Sequence, residues 1–321
     1  MFGRRQSSGT AGAHGAAMPH VGCFGKLPLQ SEFIRHNLTW REGRALDQWF
    51  QEGVVQAARS SDLASGDSNS VIHHGLFTGN GDQRSIAFSA IPSRDRNGRR
   101  YPFVVFEVRR ETDRTDEAAA SLDALDAFTE ATTALMAAPW QSESLAEFLD
   151  DIDRLDGRPR AEGTAEPAAQ ATPDQLLTAL YPNRDRVDAL AHIDQCIAGL
   201  RAISEHRARR IGRGIRLPVG KASRAMAARW WLGLVESVLR RPGWQPCMIW
   251  PAEQRYSSRN EELLLFARQP PAQVAADLLG SLPSFEGAIE PSAMAGSGTI
   301  PDHIPADVTT IESLTDWLAK A

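Results

Sequence analysis

The sequence predicts an α+β fold, with an antiparallel sheet flanked by helices in an N-terminal lobe and a second, helix-rich α+β lobe behind it. Three observations predict it. Segments of period two and β-branched or aromatic content cluster between 71 and 109. Apolar stripes at spacings of three and four lie on either side of them. A Gly-, Ala-, Pro- and Thr-rich stretch, 156–173, without large apolar residues, then separates two such groupings. The expected boundaries are a flexible N-terminus over 1–17, a first domain over 18–140, a second lobe over 141–283 with its loop at 156–173, and an irregular tail over 284–321 ending in an amphipathic helix.

Val21 to Phe24 can pair as a short strand, and Gly25 and Pro28 then force a turn. Arg41 to Ala58 reads as a helix whose stripe is Leu46, Trp49, Phe50 and Val54. Three strands follow: Val71 to Phe77, Ser85 to Ile91 and Phe103 to Arg109. In the second, Ile86, Phe88 and Ala90 alternate with Ala87 and Ser89; in the third, Val104, Phe106 and Val108 share a face. Asn97-Gly98 favours a turn with positive φ, so the last two strands form a hairpin with a long tip. Ser121 to Ala137 is helical, with Leu122, Leu125, Phe128 and Leu135 on one side, and Pro139 stops it.

The second lobe opens on Thr172, a good N-cap, with Pro173 at the first helical position and Gln175 completing a capping box. Ser223 caps a helix to about Arg240 carrying Trp230, Trp231, Leu234 and Val235, which Pro242-Gly243 ends. Cys247 to Trp250 and Leu263 to Phe266 make a second hairpin. Ala272 to Leu279 is a helix. A capping box at Thr309 and Glu312 starts the last helix, whose apolar face is Ile311, Leu314, Trp317 and Leu318.

Composition narrows the function. The 321 residues are 42% hydrophobic and 23% charged, an ordinary globular balance. A net charge of −5 does not advertise nucleic-acid binding by the chain as a whole. The three cysteines, Cys23, Cys196 and Cys247, are widely spaced, with no Cys-x-x-Cys, so neither a disulfide framework nor a zinc site is indicated. No apolar run approaches the ~18 residues of a membrane span, and no apolar segment follows Arg4-Arg5 as in a signal peptide. The expected location is the cytoplasm.

Candidate sites read mostly as structural. The glycines of Gly22 to Lys26 are too close for a phosphate-binding loop, Leu27 stands where the hydroxyl is needed, and Pro28 removes an N–H donor. Lys26 is expected to be solvated or paired with Glu32. His73 and His74 point to opposite faces of a strand and cannot easily share an ion. His192 and Cys196 share a helix face but lack the further ligands of a zinc site. The acids from Asp150 to Asp156 fall out of register for a calcium loop and read as a solvated helix end. No Gly-x-Ser-x-Gly elbow occurs, and Cys23 lies in an apolar strand that blunts a thiol. No cofactor or metal is expected, and no enzyme. Two basic clusters remain as candidate interfaces. One is Arg94, Arg96, Arg99 and Arg100 at the hairpin tip; the other runs from His206 through Arg207, Arg209, Arg210, Arg213 and Arg216.

Two blocks carry a family resemblance. The first is Gly22-Cys23-Phe24-Gly25-Lys26-Leu27-Pro28 with Glu32, Phe33 and Arg35; the second holds Gly98, Arg99, Tyr101 and Pro102. Together they resemble the TagF/ImpM family of type VI secretion accessory proteins over roughly residues 20–140. Glu32 stands where that family usually shows Asp, and Gln30-Ser31 replaces a more Gly-rich pair. The resemblance implies a bacterial, non-enzymatic protein that restrains assembly or firing after translation, in part by engaging a forkhead-associated scaffold protein. Some relatives carry a fused phosphatase domain, of which this chain shows no counterpart. The partner-binding candidates are therefore Gly22, Gly25, Lys26, Pro28, Glu32, Phe33, Arg35, Arg94, Arg96, Gly98, Arg99 and Tyr101. The rival readings are an enzyme acting on a phosphate-containing ligand and a structural component associated with the secretion baseplate.

Overall fold

A computed structural model describes residues 20–60, 71–78, 84–109, 118–137, 144–156, 171–204, 213–222, 224–239, 246–252, 262–279 and 288–320. The N-terminal segment 1–17, most of the 156–173 stretch, residues 206–210 of the second basic cluster, Ser223, Pro139 and Pro242-Gly243 lie outside these.

Eight strands among the described residues form one antiparallel sheet. They are β1 (Val21–Gly25), β2 (Ile34–His36), β3 (His73–Phe77), β4 (Ile86–Ile91), β5 (Phe103–Val108), β6 (Gly214–Pro218), β7 (Cys247–Pro251) and β8 (Glu262–Phe266), in the spatial order β2-β1-β5-β4-β3-β7-β8-β6. The expected hairpins are present as the β4–β5 and β7–β8 pairs. The sheet runs on from one lobe into the other, because β3 pairs with β7 in the register Gly75 to Ile249 and Leu76 to Met248. The short strands β2 and β6 at its two edges have no sequence expectation behind them. Three residues are too few to show a period, and Gly214-Ile215-Arg216-Leu217-Pro218 sits beside an arginine-rich stretch.

Helices cover both faces, so the strands are buried on both sides rather than alternately. On one face lie α1 (Arg41–Ser60) and α7 (Ala272–Leu279). Leu46, Trp49 and Phe50 of α1 and Val274, Ala275 and Leu278 of α7 pack there on Phe24, Phe77, Phe88, Val104, Phe106 and Phe266. Trp49 is fully buried and its indole N–H donates to Pro270 O at 2.9 Å, satisfying the one polar group of the ring.

The other face carries α2 (Ala118–Ala137), α3 (Leu145–Asp156), α4 (Pro173–Leu180), α5 (Arg186–Ser204), α6 (Arg224–Leu239) and α8 (Ile311–Lys320). Leu125, Phe128, Phe148, Leu176, Ile193, Trp231 and Leu314 build its core against Phe103, Val105, Met248 and Leu265. Thr172 caps α4 as expected. Its side chain accepts from the Gln175 N–H while Gln175 reaches back to the Thr172 N–H. The cap of α8 is Thr310 rather than Thr309. Thr310 Oγ1 accepts from Ser313 N at 3.1 Å and Ser313 Oγ accepts from Thr310 N at 3.0 Å, so Ser313 takes the place expected for Glu312.

Residues 288–310 hold one short 3-10 turn, Pro291–Ala293, and are tied down. Ile289 bridges to Ile215 on the β6 edge, through Ile289 N to Gly214 O at 2.8 Å and Arg216 N to Ile289 O at 3.1 Å. Buried Asp194 of α5 accepts from Ser297 Oγ at 2.6 Å and Gly298 N at 2.8 Å. The helix α8 that follows docks on its own chain, burying Leu314 and Leu318.

Candidate interaction surface at two interlocked turns

The two motif blocks come from distant parts of the sequence and meet where β1 ends and the β4–β5 hairpin turns. β1 closes at Gly25, whose φ is +125°. A Cβ there would lie 2.0 Å from Pro102 O, so only glycine admits this approach of the two backbones. Lys26 N donates to Pro102 O at 3.4 Å and Gln30 N to Leu27 O at 3.3 Å, which curls the chain back. Fully buried Leu27 anchors that curl.

The hairpin tip folds onto it. Asp95 N donates to Arg99 O at 3.0 Å and Gly98 N to Asp95 O at 2.9 Å, closing a turn with Gly98 at φ +78°. Ser93 Oγ donates to Lys26 O at 2.6 Å, and Arg96 N to Gln30 O at 3.0 Å. The guanidinium of Arg96 donates to Leu29 O and that of Arg99 to Ser31 O. Each turn is thus held by the other.

Asp95 is the centre of this clasp. Its carboxylate is fully buried, with Oδ1 accepting from Asn97 N and Arg99 N, both at 2.9 Å. Oδ2 accepts from Arg99 Nε at 2.7 Å and lies 3.0 Å from Lys26 Nζ. Burial pushes the carboxyl up. The N–H of Arg99, the Lys26 and Arg99 side chains and the charge of Lys26 outweigh it and hold the group well below the usual carboxylate range. Lys26 therefore pairs with Asp95, not with Glu32, and Glu32 stands exposed. In the sequence Asp95 looks like one acid among arginines and carries no mark of its role but one. The available signal was its place three residues before Gly98, where an Asx side chain caps a turn.

Beside the clasp, Phe33 and Tyr101 meet edge to face with centroids 4.8 Å apart. Arg35 lies 4.4 Å over the Phe33 ring, and its Nε is 3.6 Å from Asp47 Oδ2. Tyr101 OH donates to Asp47 Oδ1 at 3.3 Å, and burial pushes that phenol well above its usual range. The structure brings Lys26, Arg96 and Arg99 together in the clasp and Phe33, Arg35 and Tyr101 together beside it, while Arg94 bridges to Arg100 across the hairpin and Pro28 and Glu32 lie in the turn after β1. Gly22 and Gly25 are buried inside β1 and serve its packing.

The other chemically suggestive groups are internal. His74 Nδ1 is 2.7 Å from Ser89 Oγ, which meets Thr132 Oγ1 at 2.6 Å, all buried beneath α2. His73 faces the opposite side of the sheet, and burial pushes it down to about 4. His192 Nδ1 lies 3.2 Å from Tyr181 OH and 3.7 Å from Cys196 Sγ; burial first, then the charge of Arg184, pushes the imidazole down to about 4. All three thiols are buried, and burial raises each, Cys247 to about 12 and Cys23 and Cys196 further. The acidic end of α3 does more than meet solvent. Asp153 Oδ1 takes His36 Nε2 at 2.7 Å and Asn37 Nδ2 at 2.8 Å, and Asp156 Oδ1 takes His20 N at 3.1 Å. Arg216 of the second basic cluster pairs with Glu262 at 3.1 Å and Glu290 at 2.7 Å, and Arg213 is exposed. Among the described residues no group of three or more His, Cys, Asp or Glu is arranged to hold a metal ion, and no helix is long and apolar enough to cross a membrane.

Fold and clasp together define an α+β protein whose N-terminal lobe presents two interlocked turns at the end of a sheet. Residues 22–155 match the TagF N-terminal domain, described as type VI secretion system-associated. Over these residues the chain carries a TagF N-terminal domain, a type VI secretion-associated domain. Among solved structures, the crystal structure of PA0076 from Pseudomonas aeruginosa PAO1 aligns with a TM-score of 0.43 at 16% identity, over 81% of this chain and 94% of that one. No curated protein matches the chain.

Proposed function

We propose that this protein is a regulatory accessory of type VI secretion that acts in the cytoplasm by protein–protein binding, not by catalysis, and restrains assembly or firing after translation. The observation that carries the reading is the clasp. It spends Asp95, Ser93, Lys26 and several backbone groups on fixing one face of the TagF domain, leaving arginines and aromatic edges at the rim. That is the composition of a contact surface. The thiols and the Ser89–His74 pair, the groups best suited to nucleophilic chemistry, lie buried in the core. A forkhead-associated scaffold protein of the same system is the proposed partner.

The test is affinity purification of the tagged chain from cells that assemble the secretion system, together with secretion output when the chain is overproduced. The reading expects a system component, the scaffold first, to co-purify and output to fall. Output that is unchanged, with no component retained, overturns it.

A further inference from the structure

We propose that the β6 edge of the sheet is a strand-addition site for an extended segment of a partner protein, kept closed by residues 289–298, which sit there as a built-in stand-in. This edge lies at the far end of the strand order from β1, where the clasp forms. Ile289 pairs with Ile215 as one rung of a parallel ladder. Its N–H donates to Gly214 O at 2.8 Å, and Arg216 N donates to Ile289 O at 3.1 Å. Glu290 Oε1 then meets Arg216 Nε at 2.7 Å. Farther along, Ser297 Oγ and Gly298 N donate to the two carboxylate oxygens of buried Asp194 on α5. The strap is thus held by backbone pairing, one acid against Arg216 and a small polar latch.

The hold is light. From Ile289 to Thr299 only Pro291 is buried, so opening this stretch exposes little apolar surface. On either side the chain is anchored by α7 and α8, which bury Leu278, Leu279, Leu314 and Leu318, so the strap can lift without loosening what flanks it. The ladder is also short. Pro291 stands two residues beyond Ile289 and has no N–H for the next parallel rung, and the chain leaves the edge there in the turn Pro291–Ala293. A partner strand without a proline at that position goes on pairing along β6, and that gain lets it displace the strap. The strap also shows what such a segment carries. A β-branched residue sits opposite Ile215, and a carboxylate follows it directly to meet Arg216.

The probe is a fluorescein-labelled peptide of residues 288–299 carrying Pro291→Val. It is tested on the full wild-type chain and on the full chain with Ile289→Pro and Ser297→Ala, which removes one ladder donor and one latch hydroxyl. The expected result is affinity for the strap-released variant about tenfold or more above that for wild type, whose tethered strap competes at high effective concentration. The same peptide with Glu290→Lys should bind the released variant about tenfold or more weaker, because it sets a cation against Arg216. Thermal melting checks the fold, and Ser297→Ala alone takes the place of the double variant if that does not fold. Hydrogen exchange on the wild type needs no variant. The N–H groups of Ile289 and Arg216 should exchange about tenfold or more faster than those of β8. Four results would each overturn the proposal: protection of Ile289 and Arg216 as strong as that of β8, no peptide binding by a folded released variant, equal affinity for both chains, or no effect of Glu290→Lys. Sedimentation showing that the released edge pairs with a second copy, to the exclusion of the peptide, would overturn it as well.

Discussion

Lys26 Nζ lies 3.0 Å from Asp95 Oδ2, joining the turn after β1 to the tip of the β4–β5 hairpin. The carboxylate is fully buried and the ammonium nearly so, at 0% and 15% exposure, so water contributes little to either. The pair is cross-braced by Arg99 from the side and by backbone N–H groups on the far oxygen.

Groups that share one network do not contribute additively. Replacing Lys26 with Met leaves Asp95 with one cation; replacing Asp95 with Asn leaves Lys26 without its partner and weakens the bonds that the carboxylate accepts from Asn97 and Arg99. We expect each single variant to lower Tm by several degrees, Asp95→Asn more than Lys26→Met. The double variant should fall little beyond Asp95→Asn alone. Strictly additive losses in thermal melts would show that the two side chains do not act as a unit.

The same carboxylate predicts a pH dependence. Its folded pKa is held below the unfolded value of 3.8, so its contribution is fully present above that value and is lost as pH falls through 3.8 toward the folded pKa. The gap in Tm between wild type and Asp95→Asn should be constant from pH 7 down to about 5 and shrink below about 4. A gap that widens on acidification contradicts the assignment.

Gly25 and Gly98 both have positive φ but differ in surroundings. At Gly25 a Cβ meets Pro102 O at 2.0 Å; at Gly98 nothing lies within 4 Å. Gly98→Ala should therefore cost only the backbone term, about 1–2 kcal/mol. Gly25→Ala adds a backbone clash and should cost more than about 3 kcal/mol. Urea midpoints measure both, and equal losses would refute the close approach of β1 to Pro102.

Local signals were legible and distant ones were not. The Thr172 capping box, the alternation in β4 and β5 and the turn at Gly98 are written in neighbouring residues, and the structure shows each of them. The α8 cap slipped by one position because Thr309 and Thr310 are both good caps and Glu312 is the stronger box partner by type; packing of Leu314 and Leu318 sets the helix phase instead. Proximity along the chain offers Lys26 only solvent or Glu32, whereas the partner Asp95 arrives by way of β5. The pairing of β3 with β7 has no local signature at all, since any buried antiparallel strand satisfies the same pattern.

Thiol accessibility tests the core placement of Cys23, Cys196 and Cys247. Burial raises all three above their ordinary range, and a neutral, enclosed thiol is a poor nucleophile. At pH 8 the native protein should release essentially no thionitrobenzoate from Ellman's reagent over minutes, while the urea-unfolded chain reacts at all three sites. A single fast equivalent in the native state would mark one cysteine as open and reactive.

The join between β3 and β7 decides how the chain unfolds. Gly75 pairs with Ile249 and Leu76 with Met248, so the backbone hydrogen bonds of the first lobe continue into the second. On the same face α1 and α7 pack together over the sheet, and Trp49 reaches across to Pro270 O. Separating the lobes would expose two strand edges and this shared aromatic core, a loss that neither half could offset alone. Calorimetry should therefore show one transition for the described sheet, with calorimetric and van't Hoff enthalpies close to each other. Trp49→Ala, at a cost of about 3–5 kcal/mol, should shift that whole transition downward. Two resolved transitions, only one of which moves in Trp49→Ala, would show instead that the lobes fold independently and that the β3–β7 seam contributes little to either.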